Sequence, residues 1–120
     1  TPQIYYVGLL AGENDLALVE KTGVGRDINR HYYTPDEVQA ALERPVVQRL
    51  MQLIRLRNAL PAFGGTFSLP ECPRDQLVLR WDDNGEFAEL HVELGRKCAT
   101  IRYSESGEIR QFEISETSHA

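Results

Sequence analysis

Between Gly23 and Tyr33 the chain reads Gly-Val-Gly-Arg-Asp-Ile-Asn-Arg-His-Tyr-Tyr. Two glycines let the backbone bend. Arg26, Asp27, Asn29, Arg30 and His31 then offer ions, an amide and an imidazole within a few residues. A polar, glycine-hinged segment between an apolar run and a helix is where α/β proteins keep binding groups. The plain alternative is a long solvated connection. Arg26, directly after Gly25, is the best-placed binding candidate, against a loop arginine that merely pairs with Asp27 or Asp15. Asp27 and Arg30 read as braces that hold the loop by ion pairing. His31 with Tyr32 and Tyr33 reads as packing at a helix entry rather than acid–base machinery. Asp15, after Asn14, reads as ordering the start of the loop.

The elements on either side must position this segment. Ile4-Tyr5-Tyr6-Val7-Gly8-Leu9-Leu10 is almost continuously apolar and rich in β-formers, the pattern of a buried strand in a parallel sheet. Gly12–Asp15 breaks it, and Leu16–Lys21 reads as a short helical stretch. Thr34-Pro35-Asp36-Glu37 carries a cap, a proline for the first helical position and a glutamate three residues after the cap. A helix should follow from Pro35 to Leu42. Pro45 restarts a longer one to Leu60, with Val46, Val47, Leu50, Met51, Leu53, Ile54 and Leu56 forming a broad apolar face. Such a face implies burial between two layers.

After Pro61–Gly65 the period changes from helical to two. Gln76–Trp81, Ala88–Leu94, Lys97–Tyr103 and Glu108–Ile114 read as strands joined by tight turns, an antiparallel meander with one face on a core. Residues Ser115–Ala120 read as a frayed tail. Asp82-Asp83-Asn84-Gly85 fits a hairpin turn and lacks the downstream glutamate of a calcium loop. His91 and Cys98 are unclustered, so no metal site is expected. No cofactor motif is present.

Composition narrows the function classes. The chain has 120 residues, 42% of them apolar, thirteen basic against eighteen acidic, and a net charge of −5. Residues 1–60 carry seven basic and seven acidic groups; residues 61–120 carry six and eleven. An acidic C-terminal half without a basic stripe excludes nucleic acid and anionic lipid as partners. Apolar runs are strand-length, far from the roughly 20 residues that span a bilayer. Cys72 and Cys98 lack CxxC spacing and read as reduced thiols of a cytoplasmic protein. The chain opens at Thr1 and enters an apolar run at once, as a piece of a longer chain or a processed terminus would. A lone strand–loop–helix unit cannot bury its own strand, which strengthens the first reading.

Several motifs carry a resemblance. Tyr-Tyr-Val-Gly-Leu-Leu-Ala-Gly-Glu-Asn-Asp (Tyr5–Asp15), Gly-Arg-Asp-Ile-Asn-Arg-His-Tyr-Tyr-Thr (Gly25–Thr34), Arg-Pro-Val-Val (Arg44–Val47) and Leu-Arg-Asn-Ala-Leu-Pro-Ala-Phe (Leu56–Phe63) follow in one order. Over Ile4–Phe67 the chain resembles the sucrose phosphorylase family, part of the α-amylase superfamily of retaining glycoside hydrolases and transglycosylases. The resemblance implies an α+β fragment. Residues 1–63 would end a (β/α)8 TIM barrel with its last strand, loop and helices, and residues 64–120 would form a C-terminal all-β domain.

It also implies a chemistry. In that family an aspartate displaces fructose from the glucosyl C1, assisted by a glutamic acid, and phosphate then releases α-glucose 1-phosphate from the covalent intermediate. A retaining mechanism of this kind uses two carboxylates about 5 Å apart. The family keeps both on earlier barrel strands, so no catalytic residue is expected in this chain, and alone it should be inactive. Sucrose or a related glucoside and phosphate would be partners of the longer enzyme. Relatives act on sucrose 6′-phosphate or glucosylglycerate, and the loops that choose the acceptor are upstream. One binding residue carries over: Arg26 matches the arginine that hydrogen-bonds the far hydroxyls of bound glucose, a task suited to donors fixed in a plane.

Two further expectations follow. Residues 66–114 could instead serve as a free-standing carbohydrate-binding or interaction module, but Trp81, Phe87, Tyr103 and Phe112 are scattered rather than arrayed as a platform. The strand expected at Ile4–Leu10, without neighbours, would leave an open edge and drive self-association of the isolated chain.

Overall fold

Each helix signal in the sequence produces a helix. The computed structural model describes residues 3–115, which form α1 (Tyr6–Leu9), α2 (Leu16–Thr22), α3 (Pro35–Glu43), α4 (Pro45–Ala59) and β1–β5, with 3₁₀ turns at Gly25–Asn29 and Pro61–Gly64. The opening Thr1 and the tail beyond Ser115 lie outside the described residues. The chain divides into two compact units, Thr1–Arg55 and Leu56–Ala120, and α4 runs across the division.

In the first unit, Asp15 caps α2 by accepting the Leu18 N–H at 2.8 Å. Gly23, at φ +69°, ends that helix with its N–H on the Val19 carbonyl at 2.8 Å. This is the left-handed position where glycine has no Cβ penalty. The 3₁₀ turn Gly25–Asn29 follows, held by Asp27 N–H on Val24 O and Arg30 N–H on Asp27 O, both 3.0 Å. Thr34 closes the expected capping box with Glu37 at the start of α3. Pro45 opens α4, whose Val47 and Gln48 N–H groups both reach the Arg44 carbonyl.

The second unit is a five-stranded antiparallel sheet in the order β1-β2-β3-β4-β5. Its strands are β1 (Thr66–Ser68), β2 (Gln76–Asp83), β3 (Glu86–Glu93), β4 (Cys98–Glu105) and β5 (Glu108–Ser115). Asn84-Gly85 and Ser106-Gly107 are two-residue hairpin turns with positive φ at both positions, 48° and 88° in the first and 54° and 82° in the second. That backbone matches the right-handed twist of the flanking strands. Period-two alternation puts Leu79, Leu90 and Ile101 in one row across the sheet, and Trp81, Ala88 and Tyr103 in the next. Leu60, Ala62 and Ala88 form the buried cluster of this unit, with Leu56, Phe63 and Tyr103 packed against it. A Cβ at Gly65 would overlap the Asp82 carbonyl, so only glycine lets the 3₁₀ turn lie so close to β2. On the other face Arg80 pairs with Asp82 at 2.7 Å and Glu89 at 3.1 Å, and its guanidinium lies over Phe87.

Three expectations are corrected. Ile4–Leu10 is not a strand: Tyr6–Leu9 is one helical turn, with Leu9 N–H on Tyr5 O at 2.9 Å and Leu10 N–H on Tyr6 O at 3.0 Å. A parallel strand needs neighbouring strands for its backbone groups, and no strand is described in this unit to supply them. The backbone bonds to itself instead, which leaves Ile4, Tyr5 and Tyr6 exposed. The α4 face is not buried on both sides: Val47 is fully buried, Val46 is exposed and the rest are half-buried. The other three helices, of four, seven and nine residues, provide too little apolar surface for a second layer. Ser115, placed in the tail by its composition, closes β5, where it pairs with Cys98.

Candidate functional site

Asp15, from the start of α2, meets His31 and Glu37, from the start of α3, within the first unit. The His31 Nδ1 lies 2.8 Å from Asp15 Oδ2, and its Nε2 lies 3.3 Å from Glu37 Oε1. Each carboxylate divides its oxygens between a helix cap and the imidazole. Asp15 Oδ1 caps α2, whereas Glu37 Oε2 accepts the Thr34 N–H at 2.7 Å and its hydroxyl at 3.0 Å. The ring stands edge-on to Tyr33 at 4.7 Å, and the Tyr6 hydroxyl donates to the His31 carbonyl at 2.9 Å.

This arrangement fixes the charge states. Hydrogen bonding to Asp15, and next to Glu37, raises the His31 pKa above its ordinary 6.5. Hydrogen bonding to His31, and next to the Leu18 N–H, lowers that of Asp15. Glu37 is lowered chiefly by the Thr34 N–H, then by the Thr34 hydroxyl and His31. All three effects favour an imidazolium between two carboxylates.

A cleft of about 470 Å³ opens beside the cluster, lined by Glu13, Asn14, Asp15, His31, Tyr33 and Arg44 among others. The Arg44 guanidinium is committed to backbone: Nη1 donates to the carbonyls of Ala11 at 3.0 Å and Leu10 at 3.3 Å. A Cβ at Gly12 would overlap the Tyr33 hydroxyl and the Val7 side chain, so a larger residue there would require those side chains to shift.

Arg26 lies in the 3₁₀ turn Gly25–Asn29, exposed, and has no hydrogen-bond or ion-pair partner among the described residues. It pairs with neither Asp27 nor Asp15. Arg30 Nη1 stands 3.8 Å from Asp27 Oδ1, a weak pair within the loop. The turn is tied to the start of α2 by the Asp15 N–H, which donates to the Ile28 carbonyl at 2.7 Å. His31 was expected to pack at a helix entry, and its ring does pack on Tyr33. Its two ionic contacts are the part that sequence reasoning missed. The capping box fixed Glu37 six residues from His31, but nothing local announces Asp15, sixteen residues away.

In the sheet unit Trp81 lies between Phe63 at 5.0 Å and Phe67 at 5.2 Å. Cys72 and Cys98 are free thiols. Among the described residues no group of three or more His, Cys, Asp and Glu is placed to hold a metal ion, and no helix is long and apolar enough to cross a membrane.

No protein-family model matches the chain. It is 54% identical over 103 residues to a sucrose phosphorylase of Agrobacterium vitis, a match covering 86% of this chain and 21% of the relative. It is 45% identical over 114 residues to a glucosylglycerol phosphorylase of Marinobacter adhaerens, covering 93% and 24%. The crystal structure of sucrose 6F-phosphate phosphorylase from Thermoanaerobacter thermosaccharolyticum superposes with a TM-score of 0.90 at 43% identity, covering 94% of this chain and 23% of that one. The chain thus spans about a fifth to a quarter of the length of the relatives it matches.

Proposed function

Because the chain is related to the C-terminal region of the sucrose phosphorylases, we propose that it is the C-terminal part of a glucosyl-transferring phosphorylase. That enzyme converts sucrose, or a related glucoside, and phosphate into α-glucose 1-phosphate and the released acceptor, in the cytoplasm, by retaining double displacement. The observation that carries this reading is the 54% identity to a sucrose phosphorylase across most of the chain. Residues 1–63 end the catalytic barrel and residues 64–120 form the β-domain.

Within that enzyme the chain supplies a binding group rather than the reacting carboxylates. Arg26 grips the glucosyl hydroxyls, with Asp27 and Arg30 supporting its loop. An exposed guanidinium without a protein partner, on a short turn, is free for such a ligand. A hydrogen bond from a charged group contributes about 1.5–3 kcal/mol. In the longer enzyme Arg26→Ala should therefore reduce kcat/KM by roughly ten- to a hundredfold with the fold intact. An unchanged rate would remove Arg26 from the site. By itself the 120-residue chain is inactive, and it self-associates through the segment at Ile4–Leu10, whose Ile4, Tyr5 and Tyr6 are exposed. The binding-module alternative is disfavoured, because the Trp81 ring packs at a tilt against Phe63 and Phe67 of its own unit.

A further inference from the structure

We propose that His31 is a positioning residue: as an imidazolium it clasps the start of α2 to the start of α3, and so fixes the ends of the segment that presents Arg26. Both ring nitrogens face carboxylate oxygens, Asp15 Oδ2 and Glu37 Oε1. A neutral imidazole has a single N–H, so one of those contacts would set a lone pair against an anion. Only the doubly protonated ring satisfies both.

The clasp reaches the Arg26 turn through Asp15, whose N–H holds the Ile28 carbonyl. The charges around the ring are accounted for. Asp15 comes from the α2 cap and Glu37 from α3, both anionic. Glu13 and Arg44 line the same cleft, and the Arg44 guanidinium is held on the carbonyls of Leu10 and Ala11. Tyr33 presents its ring, and the Tyr6 hydroxyl faces the His31 backbone rather than the imidazole. Loss of the His31 proton leaves one carboxylate without its donor, so that the clasp holds at one end only. The inference rests on the proposed role of Arg26 only for its consequence in the enzyme.

The test is an NMR pH titration of the full 120-residue chain, following the His31 ring and the amides of Gly25–Asn29. The ring should titrate above 6.5, and the turn amides should move with the same midpoint. Asp15→Asn and Glu37→Gln keep their caps but lose the charge, so each should lower both midpoints together by about half a unit or more. A His31 midpoint at or below 6.5, turn amides that do not follow it, or midpoints unmoved in both variants would overturn the clasp. None of these readouts involves sugar. An intact clasp beside a harmless Arg26→Ala would therefore sink the glucosyl reading alone.

Discussion

His31 shows how a residue's role is set by partners that its own neighbourhood does not reveal. Arg26 stood out because glycine precedes it and polar groups surround it, whereas the Asp15–His31 contact depends on α2 turning the chain back. The three ionisations combine into a definite pH dependence. His31 is raised when folded, so its contribution is complete below 6.5 and is lost as pH rises through the raised value. Asp15 and Glu37 are lowered, so their contributions are complete above their ordinary 3.8 and 4.5 and are lost as pH falls through the depressed values. The α2–α3 region should thus be most stable between about pH 4.5 and 6.5. Hydrogen exchange of α2 and α3 amides, corrected for intrinsic rates, should show protection falling as pH is raised past the His31 midpoint. Protection that rises there would contradict the assignment.

At the level of elements, helix caps and hairpin turns are legible in local sequence, whereas a strand's need for neighbours is not. Thr34, Pro35 and Glu37 start α3 wherever the chain is placed, because their hydrogen bonds close within four residues. The β-meander was equally legible, since period-two alternation and Asn84-Gly85 specify a hairpin locally. Ile4–Leu10 differs, because a run of β-formers states a preference that only adjacent strands can satisfy. Without them the backbone forms α1 and leaves Ile4 and Tyr5 about half exposed, at 51% and 49%. Static light scattering of the 120-residue chain should therefore show mass rising with concentration. Tyr5→Ser should shift that rise to higher concentration. A concentration-independent monomer would show that this segment is not an association surface.

For the whole molecule, the two units differ in what holds them together. The sheet unit closes most of its backbone bonds across four strand pairings and packs Leu60 and Ala62, at the 3₁₀ turn, with Ala88 of β3. The first unit relies on helix caps, the His31 cluster and isolated buried residues such as Val7, Ala41 and Val47.

The most direct test is phosphorolysis by the longer polypeptide that carries this sequence, given sucrose with and without phosphate, beside the 120-residue chain alone. α-Glucose 1-phosphate is expected from the longer polypeptide only when phosphate is present, and none from the 120-residue chain. Product from the short chain, or no phosphate-dependent product from the longer one with any of the related glucosides, would overturn the proposed function.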